Sequence, residues 1–495
     1  MKEPPSLEGG LEHHRAGRLA EADAAYRGLL ARDPGNVDAL HFAGVVAYQR
    51  GRLEEAADLI AQALARNPSN APAHNNLGNV LAAQGRLAAA IASYRSALAL
   101  DPRYADARVN LAGKLSNLGG SLNDRGKPLE AAACCEEALA LQPDLTEAHN
   151  NLGLALQALG RLSEGEQSFR RALELNPGMA PASVNLGFAR LLQGDYAAGF
   201  ALTEKRFAAS APVRALAAQF DPAARWDGAE AHGETLLVWT EQGLGDSIMM
   251  MRYLPMLKQR GFARTLVYCE SALERLYQQT PGVDEVFSRK APPPAGQFDR
   301  HCPVMSLPLA FGTRIESSPS EVPYLSVPRS LEKQWAAKLA GVAGRRVGLS
   351  WAGARLNARN ALRSIRLEQL APLFELDGVS LVNLQKGDGS EQLHQARWPI
   401  LDRMDECRDL MDSAALIKQL DLVISVDTAV AHLAGALGKP VWLLNRCESE
   451  WRWMLEREDS PWYPTMRIFR QREPGDWDDV MARVAAALRQ PQPPA

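Results

Sequence analysis

Two short loops hold the side chains best placed to do chemistry. The first is EQGLGD, residues 241–246, which follows an apolar run at 235–239 and leads into a helical pattern from about residue 246. Gly243 and Gly245 let the backbone turn tightly and approach a ligand. Asp246 closes the loop, and its carboxylate has two readings. It accepts the proton of an attacking hydroxyl, or it caps the helix that follows. Glu241 is the second choice as a base. The other loop lies in VISVDTAVAHLAGALG, residues 423–438, where a buried strand runs into a helix of small residues. Backbone N–H groups near Thr428, Ala429 and Val430 make a natural diphosphate site, and the Thr428 hydroxyl adds a donor. Asp427 can only accept, which suits sugar hydroxyls better than phosphate. His432 stands one turn beyond Thr428 on the same face, either as a ligand group or as a structural imidazole. There is no GxGxxG with its following acid and no GxxxxGK(S/T), so neither a nicotinamide dinucleotide nor a P-loop nucleotide is indicated.

Both loops need a sheet to present them. From about residue 233 apolar runs alternate with glycine turns and helical patterns, in one series up to VDEVF and FDRHCPV and a second from RRVGLSWAG at 345–353. Strands alternating with helices predict parallel, helix-covered sheets. Two series predict two Rossmann-like domains, at 209–343 and 344–488, with ligand in the cleft outside the carboxyl ends of the strands.

The first part of the chain is different. Prolines at 34, 68, 102, 143 and 177 are spaced 34, 34, 41 and 34 residues apart, and Gly17, Gly51, Gly85, Gly126, Gly160 and Gly194 keep step. This period predicts a solenoid of helix–turn–helix repeats over 10–208. Each glycine is expected to end helix A in a left-handed cap, and each proline to end helix B. Small residues at Gly44, Gly78, Gly153 and Gly187 suit close helix contact. The 41-residue spacing adds two helical turns, either as a longer helix A or as a loop at Gly119 and Gly120. Two positions before the small residue stand Phe42, Asn76, Asn110, Asn151 and Asn185. Asparagine is a poor helix-interior residue, so its recurrence needs a reason. A ladder of amides on the concave face can grip the backbone of a protein client; otherwise the asparagines are repeat consensus facing water.

Composition narrows the remaining classes. The net charge of −3 over 495 residues gives no footprint for nucleic acid. No run of 18 apolar residues suggests a membrane span, and the first residues lack a secretory h-region. The six cysteines show no pairing or metal-ligand spacing, which predicts reduced thiols in a cytoplasmic protein.

The repeat pattern resembles the tetratricopeptide repeat, and its asparagine ladder resembles that of O-linked N-acetylglucosamine transferases. GLGDSIMMMRYLPML and DLVISVDTAVAHLAGALGKPVWLL, with WDG, WAG, LQKG and WRWM…REDSPWYP, resemble bacterial proteins that join such repeats to glycosyltransferase family 9, the heptosyltransferase-like GT-B enzymes. The fold so implied is an α solenoid followed by an α/β GT-B fold. The activity implied is a metal-independent glycosyl transfer from a nucleotide sugar, without cofactor and with inversion. The family's catalytic aspartate falls on Asp246, with Gln242, Gly243 and Gly245 on the acceptor side. Its donor element falls on Asp427, Thr428, Ala429 and His432, and its basic groups on Arg363 and Lys386, with Gln385 a candidate for ribose or base. The acceptor implied is a protein hydroxyl, in a flagellin-like client held at Asn76, Asn110, Asn151 and Asn185. A lipopolysaccharide-type carbohydrate enzyme and a non-catalytic scaffold with a degenerate transferase domain are the alternatives. In the stretch matching 351–365 relatives more often carry a loop with a histidine and an Asn-Asp-Arg element; this chain keeps Trp351, Gly353, Arg363 and Ser364 but lacks that histidine.

Overall fold

In a computed structural model the described residues are 6–293, 296–354 and 360–490. The chain forms two compact units, 1–177 and 178–495.

The first unit is all helix. Its five pairs begin with Leu7–Arg15 and Leu19–Arg32 and end with Thr146–Ala158 and Leu162–Leu175. Every A helix stops at its expected glycine, with φ from 69° at Gly126 to 76° at Gly51 and Gly85. Only glycine takes that conformation without a Cβ penalty. The small residues are close-packed against helix B sixteen positions on. A Cβ would stand 2.5 Å from Tyr94 at Gly78, 2.5 Å from Phe169 at Gly153 and 2.6 Å from Ile60 at Gly44. The seven extra residues lengthen a helix rather than form a loop: Ala105–Asp124 runs unbroken through Gly119 and Gly120. Two full turns preserve the buried face, so Gly119 meets Cys135 as Gly78 meets Tyr94.

The second unit opens with one more helix pair, Ala180–Leu192 and Tyr196–Thr203, joined at Gly194. Two parallel sheets follow. One contains β1 (Thr235–Trp239), β2 (Arg264–Cys269), β3 (Glu285–Ser288) and β4 (Arg300–Pro303) in the order β3-β2-β1-β4. The other contains β5 (Arg345–Ser350), β6 (Val379–Asn383), β7 (Leu422–Val426), β8 (Val441–Asn445) and β9 (Met466–Arg470) in the order β6-β5-β7-β8-β9. β9 has no counterpart in the sequence reading. Its pattern, MRIFR, alternates only briefly, and its pairing with β8 is what defines it. β7 and β8 are buried throughout, as strands covered on both faces must be. The helix Arg329–Lys338 precedes β5 yet packs beside Leu410–Lys418, where the Gln419 amide donates to Glu332 O at 3.4 Å. The second sheet's layer therefore starts before residue 343.

In each sheet the strand order reverses once, at β1/β4 and at β5/β7. Ligand clefts of open α/β sheets form at such reversals. The segments that follow β1, β5 and β7 carry Asp246, in the first turn of a helix, and Gly353 and Thr428, in loops.

Candidate active site

A cavity of about 770 Å³ is lined from the first sheet by Gly243, Gly245 and Asp246 and from the second by Thr428, Ala429 and His432. Arg363, Gln385, Lys386 and Asp427 also line it. Gln242 and Glu241 do not: the Glu241 carboxylate is buried against the Arg206 guanidinium at 2.9 Å and the Met305 N–H at 3.3 Å. Burial raises that carboxyl to about 7, but it points away from the cleft and serves the link between the last repeat and the first sheet. The stretch 355–359, within the loop that lacks the histidine, lies outside the described residues.

Asp246 is not the helix cap. The helix Leu244–Met250 is capped at Gly243, and Asp246 sits in its first turn with its carboxylate turned back over the loop. Gly245 is pressed against the opposite wall: a Cβ would stand 2.7 Å from His432 Cδ2. The loop can reach the second sheet only because a side chain is missing there.

Opposite lies the start of the helix Ala429–Ala436, with Thr428 at its N-cap. The Thr428 hydroxyl is 3.1 Å from Ser425 Oγ, and among the described residues no side chain caps the helix N–H groups, which leaves them as an anion cradle beside the cavity. His432 is fully enclosed. Its Nδ1 is hydrogen-bonded to the Tyr463 hydroxyl at 2.9 Å, while Nε2 stands 3.9 Å from Asp427 Oδ1. Burial, with Arg452 and Arg252 nearby, holds the imidazole well below its usual range, so it is neutral and makes no ion pair. Burial also raises the Asp427 carboxyl to about 6, helped by Glu450 and opposed by Arg452 and Arg363.

Gln385 is a wall rather than a reader. Its Oε1 accepts from the Trp351 and Ala352 N–H groups at 3.0 and 2.9 Å and from the Ser350 hydroxyl at 3.1 Å. Its Nε2 donates to the carbonyls of Ala352 and Asp388 at 2.9 and 2.7 Å. With its amide fully engaged, it fixes the WAG loop and has nothing left for a ribose or base. Lys386 lines the cavity with its Nζ donating to Cys407 O.

Two arginines were not legible as site residues. Arg452, of the WRW motif, enters the cavity and donates from Nη2 to Asp246 and from Nη1 to Glu450 at 2.5 Å. Arg252, of MMMRYLP, ties the two sheets together: it donates to the carbonyls of Pro319 and Trp462 at 2.6 Å and lies 4.6 Å from the centres of the Tyr324 and Tyr463 rings. The tryptophans beside Arg452 pack against aromatic neighbours and do not line the cavity. Trp451 meets Tyr196 and Phe200 of the last repeat edge-on at 6.2 and 5.6 Å, and Trp453 lies 5.1 Å from His432.

The asparagine ladder is half-buried. Asn76 donates to His41 Nε2 at 2.8 Å, Asn110 to Asn75 Oδ1 at 3.0 Å and Asn151 to Ser116 O at 3.0 Å, each reaching 35 residues back. Each of these amides thus uses an N–H between repeats. Burial keeps His41 neutral, as an acceptor must be. The lengthened helix carries two stations: Asn110 bonds backward, and Ser116 receives Asn151. Asn117, next to Ser116, is exposed and stands in register with Asn151, 34 residues on. Asn185 is half-buried on Ala180–Leu192, in the second unit.

All six cysteines are free. Among the described residues no helix is long and apolar enough to cross a membrane, and no three His, Cys, Asp or Glu side chains gather as a metal site.

Tetratricopeptide repeat families match residues 7–71, 59–92, 78–113 and 146–179. The family described as glycosyltransferase family 9 (heptosyltransferase) matches 407–474, a span that includes Asp427, Thr428, His432 and Arg452 but not Asp246. Protein FlbA of Caulobacter vibrioides is 32% identical over 325 residues, or 60% of this chain and 53% of that protein. The chain therefore spans about half the length of that relative. The crystal structure of MamA protein is 25% identical, covering 35% of this chain and 91% of that one, with a TM-score of 0.29. YrrB, titled a TPR protein with an unusual peptide-binding site, is 21% identical, covering 40% of this chain and 100% of that one, with a TM-score of 0.32. This chain joins tetratricopeptide repeats to a C-terminal glycosyltransferase family 9 domain.

Proposed function

We propose that the protein is a glycosyltransferase that moves a sugar from a nucleotide sugar to a serine or threonine hydroxyl of a protein held by the repeats. The observation that supports this best is the facing pair in the cleft: a carboxylate, Asp246, opposite a helix N-terminus at Thr428, with Arg363 and Lys386 on the same wall. In the proposed reaction Asp246 takes the acceptor proton as the acceptor oxygen bonds to the anomeric carbon. The bond from that carbon to the phosphate oxygen breaks, and its electron pair leaves with the nucleoside diphosphate or monophosphate. The N–H groups of Ala429 and Val430, with Arg363 and Lys386, stabilise the charge that develops there. Asp427 is placed to accept from a sugar hydroxyl. Attack from the side of Asp246 opposite the phosphate inverts the anomeric carbon. In this proposal the developing charge is met by side chains and backbone N–H groups, without metal or cofactor.

A protein acceptor follows from the repeats, whose extended surface suits a protein chain. The free thiols fit a reducing, cytoplasmic setting. The test is release of nucleoside diphosphate or monophosphate from a panel of sugar nucleotides, with and without a candidate protein acceptor. Asp246→Asn should lower acceptor-dependent release about 100-fold or more. An unchanged rate in that variant removes Asp246 as the base, and acceleration only by sugar acceptors removes the protein client.

A further inference from the structure

The proposed base is not free. Asp246 is 15% exposed and bonded to a guanidinium that is itself 10% exposed and also bonds Glu450. Taking an acceptor proton on this carboxylate removes the charge that strengthens the Arg452 bond at Oδ1, so the bond and the proton oppose each other.

We propose that Arg452 is a latch: it holds Asp246 while the donor site is empty, and a bound diphosphate draws it off and releases the carboxylate. This rests on the glycosyltransferase reading of the same cleft. Three features support it. The Arg452 fork is incompletely used, because its buried Nε–H has no acceptor among the described residues while Nη1 and Nη2 serve Glu450 and Asp246. Arg52, Arg206, Arg446 and Arg470 also keep a buried N–H without an acceptor among the described residues, but of these arginines Arg452 is the one that lines the cavity, where a phosphate group supplies several oxygens to a planar fork. The backbone on either side is pinned, by Trp451 against Tyr196 and Phe200 and by Trp453 against His432. The guanidinium is therefore the part that moves, about a fixed pivot. Finally, Arg452 lines one cavity with Asp246, Glu450, Asp427, Thr428, Arg363 and Lys386, so the exchange needs no domain movement. Glu450 stays as a second anchor when Asp246 is let go.

The latch makes donor and Asp246 competitors for one side chain. Linkage then requires that whatever Asp246 contributes to holding Arg452 is subtracted from donor affinity. The consequence is an order of events: donor first, base released second, acceptor deprotonated third.

The experiment is a double-mutant cycle read by binding alone. Affinities for ADP, GDP, UDP, CDP and inorganic pyrophosphate are measured by calorimetry on wild type, Asp246→Asn, Arg452→Gln and the double variant, with Arg452→Lys as a charge-keeping control. The tightest ligand should bind Asp246→Asn about tenfold more tightly than wild type, and Arg452→Gln about tenfold more weakly. The double variant should match Arg452→Gln, because without Arg452 the Asp246 change has nothing to release. Arg452→Lys should fall between wild type and Arg452→Gln. A double variant tenfold tighter than Arg452→Gln would mean that Asp246 merely repels the phosphate, and would overturn the latch. If pyrophosphate shows the cycle and no nucleotide binds, the latch stands and the nucleotide-sugar reading falls. If neither binds, both fall.

Discussion

Gly245 and His432 close the cleft by contact: the backbone of one lies where a Cβ would meet Cδ2 of the other at 2.7 Å. Two sheets are brought together at that point, and Asp246 is the next residue. Gly245→Ala should therefore displace the Asp246 loop while both sheets persist. We expect a cost of about 1–3 kcal/mol in stability and a loss of transfer on the order of 100-fold, since about 1 Å of misplacement suffices. Thermal unfolding and rate measured on the same sample check this. Full activity in a stable variant would show that the contact does not position the base.

Tyr196 links the last repeat to the transferase motif. Its ring is stacked on Trp462 at 5.7 Å and 15° and meets Trp451 edge-on. Tyr196→Ala should cost roughly 3–5 kcal/mol, as for other buried aromatics. Tyr196→Phe keeps the packing, and its stability should stay within about 1 kcal/mol of wild type. Equal losses in denaturant melts of the two variants would assign the effect to the hydroxyl instead.

The buried Asp427 carboxyl should make stability depend on pH in an uncommon direction. An unfolded aspartate titrates near about 3.9, whereas burial raises this one to about 6 when folded. The folded state keeps a proton that the unfolded chain gives up. Its contribution is full below about pH 4 and is lost as pH rises through about 6. Asp427→Asn removes that loss, so its melting temperature relative to wild type should be higher at about pH 8 than at about pH 4. A difference that does not change with pH would mean that the carboxyl titrates normally.

Asn75 and Asn117 separate structure from recognition in the repeats. Asn75 is 3% exposed and accepts the Asn110 amide at 3.0 Å, so Asn75→Ala should cost about 1–2 kcal/mol in the first unit. Asn117 is exposed on the lengthened helix, so Asn117→Ala should leave stability within about 0.5 kcal/mol. If the ladder grips a client, Asn117→Ala weakens client binding all the same. Stability by thermal melt and affinity by calorimetry distinguish the two roles, and unchanged affinity would count against the ladder.

The repeat period was legible because glycine and proline act locally: the positive φ at Gly17, Gly51 and Gly85 follows from residue type alone. Asp246 and Thr428 could be located because each ends a strand-then-glycine or strand-then-small-residue pattern. What could not be read were relations across the chain. Arg452 meets Asp246 from 206 positions away. The capture of Gln385 by Trp351 and Ala352 depends on β5 and β6 being neighbours, which no local pattern states. Asn75 is indistinguishable from Asn76 by type, and only the 35-residue reach of Asn110 gives it a structural part. The last repeat's place in the second unit was hinted at by Tyr196 and Phe200, aromatic where a surface helix has no need of them.

In the proposed function Asp246 carries sugar transfer to protein hydroxyls. Its most direct test is mass spectrometry of peptides from the host cell carrying either the wild-type protein or Asp246→Asn at equal abundance. Serine or threonine peptides bearing a sugar mass are expected in the first cells and the same peptides unmodified in the second. Identical modified peptides in both would contradict it.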